Sequence, residues 1–300
     1  MSPAGFRSGF VAIVGRPNVG KSTLINQLLG EKVSIVSDKP NTTRTPLRGV
    51  FNRPDCQIVL VDTPGIHKPR TLLGQRLNAS ANAAADGVDV VCLVIDGASG
   101  FGRGDERLLA RLPANTVIVL NKIDSATPIA VLEQLTSLSA AASKLALVAT
   151  GATGITPPDR HEYFAVSAQT GEGVDTLVDY LIAGLPEGPA YFPTDQLTDT
   201  PEAIWVAELV REELLARTRE ELPHSIATRV VEWEGPRIRC EILVERDSQK
   251  GIVIGRGGEV LKEVGIAVRA QLTPGTFLEL FVKVEKDWQR RPHSLDRLGY

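Results

Sequence analysis

Gly15-Arg16-Pro17-Asn18-Val19-Gly20-Lys21-Ser22 fits the pattern GxxxxGK[ST], and it lies between an apolar stretch at 10–14 and a helical pattern that begins near Lys21. Glycines at its ends let the backbone wrap an anion, so that successive N–H groups and the positive end of the following helix face a phosphate. Lys21 then reaches the β- and γ-phosphates and Ser22 offers a hydroxyl to Mg²⁺. Residues 15–23, Thr23 included, form the expected phosphate cradle. Average residue frequencies give roughly one chance match per hundred chains of this length. The assignment therefore rests on the placement after a strand and before a helix.

Working outward, three further patterns fall at the ends of apolar runs. Asp62-Thr63-Pro64-Gly65 follows the run 57–61, which puts Asp62 at a strand end where it can hold the Mg²⁺ shell and Gly65 where its N–H can meet a γ-phosphate. Asn121-Lys122-Ile123-Asp124 closes the run 116–120. A carboxylate at Asp124 can accept two hydrogen bonds from N1–H and the exocyclic amine of guanine, a donor pair that adenine lacks. Ser167-Ala168 ends the next run, and the Ala168 N–H is expected to complete the base pocket. GTP, GDP and Mg²⁺ are the ligands these residues imply.

Over 1–185, short apolar runs (10–14, 57–61, 88–95, 116–120, 163–166, and an edge run at 47–51) alternate with helical patterns starting near Lys21, Thr71, Asp105, Pro128 and Val174. That alternation predicts a mostly parallel sheet with helices on both faces. Residues 150–160 read as a surface loop. The stretch 186–201 is proline-rich and reads as a non-helical linker, which makes 202–300 a second domain. There an amphipathic helix is expected at 202–221, strands at 226–232 and 238–245 around a turn at 233–236, a glycine-containing loop, a helix at 259–272 and a last strand over Phe277–Val284.

The chain has 300 residues, 43% of them hydrophobic, enough for two cores, and 23% charged. No apolar run reaches the ~18 residues of a membrane span. The N-terminus leads straight into a strand pattern, and Cys56, Cys92 and Cys240 are too scattered for a disulfide framework or a CxxC metal site. A reducing, cytoplasmic setting is expected. The net charge of −3 divides into −5 for residues 1–224 and +2 for residues 225–300. His161, His224 and His293 show no ligand spacing, and His67, after the second motif, is read as a solvated loop residue, with a contact to nucleotide or effector as the other reading.

In their order and placement these motifs make residues 10–185 resemble a Ras-like GTPase. The segment Val33-Ser34-Ile35-Val36-Ser37-Asp38-Lys39-Pro40-Asn41-Thr42-Thr43-Arg44 is similar to a first switch loop, with Thr43 as the γ-phosphate and Mg²⁺ contact and Thr42 as its competitor. Ras-like enzymes orient the attacking water with a glutamine after the DxxG motif. Here that place holds Ile66, so hydrolysis is expected to be slow or to use another group. Asn18 resembles an asparagine that in related GTPases helps bind K⁺; a loop-stabilising amide is the other reading. The catalytic set implied is Asn18, Lys21, Thr43, Asp62 and Gly65, with Ser22, Thr43 and Asp62 around the metal.

In the second domain Gly255-Arg256-Gly257-Gly258 lies between an apolar stretch and a helix, with Lys250 and Lys262 on either side. This is the arrangement by which KH domains clamp about four nucleotides. The motifs together, with DTPGIHKP at 62–69, the linker, IGRGGEVLKEVG at 254–265 and the ending VKVEKDWQR…LGY, resemble the Era family: an α/β P-loop GTPase domain followed by an α+β KH-type domain. The resemblance implies binding of the 3′ end of 16S rRNA, a role in maturation of the 30S ribosomal subunit, and a monomer. Loose peripheral association with the inner face of the cell membrane belongs to the same family picture, although no amphipathic anchor is visible beyond the helix at 202–221. The rival readings are a signalling GTPase whose C-terminal domain binds a protein, and a P-loop metabolite kinase.

Overall fold

The computed structural model describes residues 5–39, 42–66, 69–150, 161–218 and 222–300. They form two compact units: Met1–Ser34, Thr43–His67 and Leu77–Asp199 in the first, Ile35–Thr42, Lys68–Arg76 and Thr200–Tyr300 in the second.

The nucleotide-motif half runs β1 (Arg7–Gly15), α1 (Lys21–Leu29), β2 (Leu47–Arg53), β3 (Cys56–Asp62), α2 (Leu72–Ala85), β4 (Val90–Asp96), α3 (Arg103–Leu109), β5 (Val117–Asn121), α4 (Pro128–Thr150), β6 (Glu162–Ala165) and α5 (Val174–Gly184). The sheet order is β2-β3-β1-β4-β5-β6, parallel except for the edge strand β2. Its strands read as unbroken apolar runs because both faces are buried. Val11 and Ile13 of β1 join Leu24 and Ile25 of α1 and Leu177 and Leu181 of α5 in one core. Their neighbours Ala12 and Val14 join Leu108 of α3 and Leu138 of α4 in another. The common direction of these parallel strands brings the ends of β1, β3, β5 and β6 to one rim of the sheet, where ligands bind in open α/β folds.

Two expectations change here. Pro128, pre-set for a first helical position, opens a helix that continues to Thr150, so the expected loop begins no earlier than 151; residues 151–160 lie outside the described ones. The proline-rich stretch is bonded along the first unit. The Val50 N–H donates to Leu197 O (2.8 Å), Thr198 bridges Gly49, and the fully buried Gln57 accepts from the N–H groups of Tyr191 (2.7 Å) and Phe192 (3.0 Å).

The second unit contains α6 (Glu202–Arg217), α7 (Leu222–Ser225), β7 (Ala227–Glu234), β8 (Arg237–Val244), α8 (Asp247–Ile254), α9 (Glu259–Arg269), β9 (Phe277–Val284) and α10 (Pro292–Leu298). Its sheet is β7-β8-β9, with β8 and β9 parallel. Leu209 and Val210 of α6, Val253 of α8 and Val264 and Val268 of α9 share a core with Ile238, Cys240 and Ile242 of β8. The glycine-containing loop expected before 259 is a helix over most of its length, because Val253 supplies a core position and the apolar stretch 252–254 continues α8 to the GxxG turn. The helix expected to reach 221 ends at Arg217; residues 219–221 lie outside the described ones. The short α10 had no expectation.

Candidate functional site

Gly20, in a left-handed conformation (φ 93°), turns the phosphate loop into α1, so the first turn of that helix carries Lys21, Ser22 and Thr23 at the sheet rim. The Lys21 ammonium donates to the carbonyls of Gly15 (3.2 Å) and Arg16 (3.0 Å) and is 7% exposed. Burial pushes its pKa down to about 8, opposed by the Asp62 carboxylate. A lysine in that condition gains strongly from an incoming anion.

Asp62 is fully buried, and burial pushes its carboxyl upward against the pull of Lys21 and of three hydroxyl donors. Its Oδ2 accepts from Ser34 (2.7 Å), Ser22 (2.9 Å) and Thr43 (3.1 Å), while the buried Oδ1 has no hydrogen-bond partner among the described residues. Ser22 and Thr43 also approach each other at 3.1 Å. An orphaned carboxylate oxygen beside two hydroxyls is a hard-oxygen donor set that fits Mg²⁺. Of the two candidate threonines, Thr43 is the one brought to this cluster; the Thr42 hydroxyl donates to Lys39 O. Ser34 escaped the sequence reading. It is placed by Asn26, whose carboxamide bonds the Ser34 N–H (2.9 Å) and carbonyl (2.8 Å), and nothing in the spacing of the two residues signals this.

A Cβ on Gly65 would stand 2.8 Å from the Pro17 backbone, so only glycine lets the DxxG turn approach the phosphate loop this closely. Thr63 is spent on the fold, its hydroxyl donating to Ile13 O, and Pro64 is buried beside it. Ile66, at the place where a glutamine would orient water, is apolar and packs on the core. His67 lies outside the described residues.

At the base end the Asp124 carboxylate is exposed and steered by its neighbours: Ser167 Oγ donates to Oδ1 (2.5 Å) and Ser125 Oγ to Oδ2 (2.9 Å), and these bonds hold its carboxyl below the ordinary range. Asn121 and Lys122 fasten loops together. Asn121 Nδ2 donates to Val19 O (2.9 Å), and Lys122 Nζ to Asn18 O (2.6 Å) and Asp96 (2.7 Å). The Ala168 N–H, expected at the base, donates to Asn121 Oδ1 (2.9 Å), because a buried carboxamide oxygen must be satisfied.

Arg16 provides a second tether. Its guanidinium pairs with Asp105 Oδ2 at 3.0 Å, and Asp105 is 1% exposed and also accepts the Gly102 N–H (3.1 Å). Arg16 carries one of the two carbonyls that hold Lys21, so the pair anchors the loop from α3. Asp105→Ala should weaken GDP binding about tenfold through a faster release, with Asp105→Asn intermediate because it keeps hydrogen bonds without the charge, about 1–2 kcal/mol in all. Stopped-flow release of a fluorescent GDP measures it, and equal rates in parent and Asp105→Ala would show that the tether does not hold the loop.

In the second unit Gly255 (φ 76°) breaks the chain out of α8, and Gly257 (φ 59°) and Gly258 (φ 84°) carry it into α9. A Cβ on Gly257 or Gly258 would meet nothing within 4 Å, so the backbone there is open to a phosphate. Arg256 and Lys262 are exposed, and Lys250, on α8, is half-buried.

The family model described as 50S ribosome-binding GTPase matches residues 10–122, and that of the KH domain matches residues 221–289. GTPase Era of Mycobacterium tuberculosis (strain H37Rv) is 47% identical over 98% of this chain and 99% of its own; that of Mycobacterium avium (strain 104) is 46% identical with the same coverage. Two solved structures each superpose with a TM-score of 0.88 at 38% identity, over 98% of this chain and 99% of theirs: Era of Aquifex aeolicus bound to GDP and AlF4⁻, and Era in complex with MgGDPNP and nucleotides 1506–1542 of 16S ribosomal RNA.

Proposed function

The chain belongs to the Era family of GTPases, and from that premise we propose that it is a GTP-dependent switch which binds the 3′ end of 16S rRNA through its KH domain and assists maturation of the 30S subunit. The observation that carries the RNA half is the open GxxG backbone with Arg256 exposed at its centre, in a chain akin to an Era solved with nucleotides 1506–1542 of 16S rRNA. No described helix is long and apolar enough to cross a membrane. Filter binding of an RNA copied from the 16S 3′ end, with GTP analogue and with GDP, tests the proposal. Absence of binding in both states, with tight capture of a protein instead, would favour a signalling GTPase.

In the hydrolytic reaction water attacks the γ-phosphorus, the bond to the β-phosphate oxygen breaks, and GDP and phosphate leave. Lys21 and the loop N–H groups of 15–22 stabilise the charge on the phosphates, Asp124 selects guanine, and the Gly65 N–H meets the γ-phosphate. Ser22, Thr43 and Asp62 would hold Mg²⁺, which when bound would neutralise negative charge on the phosphates. Asn18, which resembles a K⁺-binding asparagine of related GTPases, would help hold K⁺. Since Ile66 cannot orient water, turnover of the isolated protein should be slow, and several-fold faster in K⁺ than in Na⁺ at matched ionic strength. Phosphate release measured in the two salts checks this, and equal rates would remove the cation from the mechanism.

A further inference from the structure

The cations of the second unit fall into two populations. Arg217, Arg229, Arg237, Arg239, Lys283 and Arg297 each pair with a carboxylate, and Glu241 and Glu279 each serve two of them. Lys250, Arg256 and Lys262 around the GxxG loop make no ion pair among the described residues. Neither do Lys286, Arg290 and Arg291, all exposed, in the turn after β9.

That turn is rigid. Trp288, between the cations, is fully buried and donates its indole N–H to Ser225 O (2.9 Å), and Gln289 donates to His224 O (2.8 Å). The Arg290 and Arg291 N–H groups close one helical turn onto Asp287 and Trp288. Three charges are thus presented on an ordered frame, so much of the entropy of placing them is already spent in folding.

The turn begins at the strand end from which α8 runs to the GxxG loop. The Glu285 N–H bonds Val244 O (2.8 Å), which sets the start of the segment beside the end of β8, and from there α8 leads to Gly255. Glu245, half-buried at that junction, has its carboxyl pushed up by burial and by Asp287, against the pull of Arg246 and Arg290. The eight residues of α8 cover on the order of 12 Å. Arg246, Lys250 and Arg256 follow one another along α8 into the GxxG loop, and the turn carrying Arg290 starts beside the strand end that precedes Arg246. Against the six cations Lys286, Arg290, Arg291, Arg246, Lys250 and Arg256 stand Glu245, half-buried, Asp247, Asp287 and Glu259, exposed, and Glu285, which is taken up by Arg297 and Ser294.

We propose that Lys286, Arg290 and Arg291 form a second contact for the phosphate backbone of single-stranded RNA, extending the footprint beyond the about four nucleotides that a GxxG loop clamps. This rests on the reading of RNA at that loop. The sign of the patch, its lack of internal pairing and its continuity with the loop all match a polyanion that runs on past the clamp.

The test compares the full-length parent with a Lys286→Gln/Arg290→Gln/Arg291→Gln variant against a five-nucleotide and a twelve-nucleotide RNA from the 16S 3′ end. Unchanged GDP affinity and melting temperature confirm that the variant is folded. The variant should bind the five-mer within twofold of the parent and the twelve-mer at least tenfold more weakly. Its log–log salt slope on the twelve-mer should be smaller by about 2, at about 0.7 per phosphate on single strands. Equal twelve-mer affinity and slope in parent and variant overturn the second contact while leaving the GxxG reading intact. If the parent binds neither RNA, the GxxG reading fails and the extension falls with it. If the variant loses binding to phosphatidylglycerol vesicles but not to the twelve-mer, the patch belongs to a membrane surface and the RNA contact is overturned.

Discussion

Asp124→Asn should weaken GTP binding by about 2–4 kcal/mol, roughly 30- to 1000-fold, and improve binding of xanthosine triphosphate. The carboxylate stands exposed at the rim with Ser167 and Ser125 donating to it, so it remains ionised and keeps its outward lone pairs for a ligand. Guanine presents two donors to such a group. Asparagine presents a donor of its own in place of one acceptor, which clashes with guanine and suits the extra carbonyl of xanthine. The competing role, fixing the turn 123–125, would lower stability and leave base preference unchanged. Titration with labelled GTP and XTP separates the two, and a variant that binds GTP as tightly as the parent would rule out the base contact.

Replacing Arg256 and Gly257 together by Asp should abolish measurable binding of single-stranded RNA while GTP affinity stays within twofold. Two carboxylates would meet the backbone phosphates, and the Cβ of the second would fill space that is empty at Gly257. Asp tolerates the left-handed backbone there better than most residues, so the fold should survive, as a melting curve can verify. Retained RNA binding in the folded variant would move the RNA site away from this loop and remove the main physical support for the ribosomal assignment.

What could be read from the chain without coordinates followed the physics of each feature. The parallel sheet was legible because strands buried on both faces leave continuous apolar runs, as in Val11–Val14 and Ile58–Val61, and each motif sat at the end of such a run. The helix α8 was not, since eight residues with a single fully buried position, Val253, leave almost no periodic signal. Within the nucleotide site, the residues whose backbone or charge meets a ligand follow a fixed spacing. Those that brace them do not. Ser34 reaches Asp62 across 28 positions and Asp105 reaches Arg16 across 89, and pairings of that range exist only once the sheet has assembled. Asn121 illustrates the mixture: its motif was visible, while its work of joining Val19 to Ala168 was not.

The strip of chain bonded beside β2 bears on where the nucleotide-binding half can be separated from the rest. β2 is the outer strand of its sheet, and Val50 and Gly49 spend their outward groups on Leu197 and Thr198, with Arg48 paired to Asp199. A protein ended at Leu185 would present that row of backbone donors and acceptors bare, a template on which another molecule can add a strand and aggregation can grow. Ended after Asp199, the same half carries its own cover, and the prolines within the cover deny a newcomer the regular N–H ladder it would need to continue the sheet.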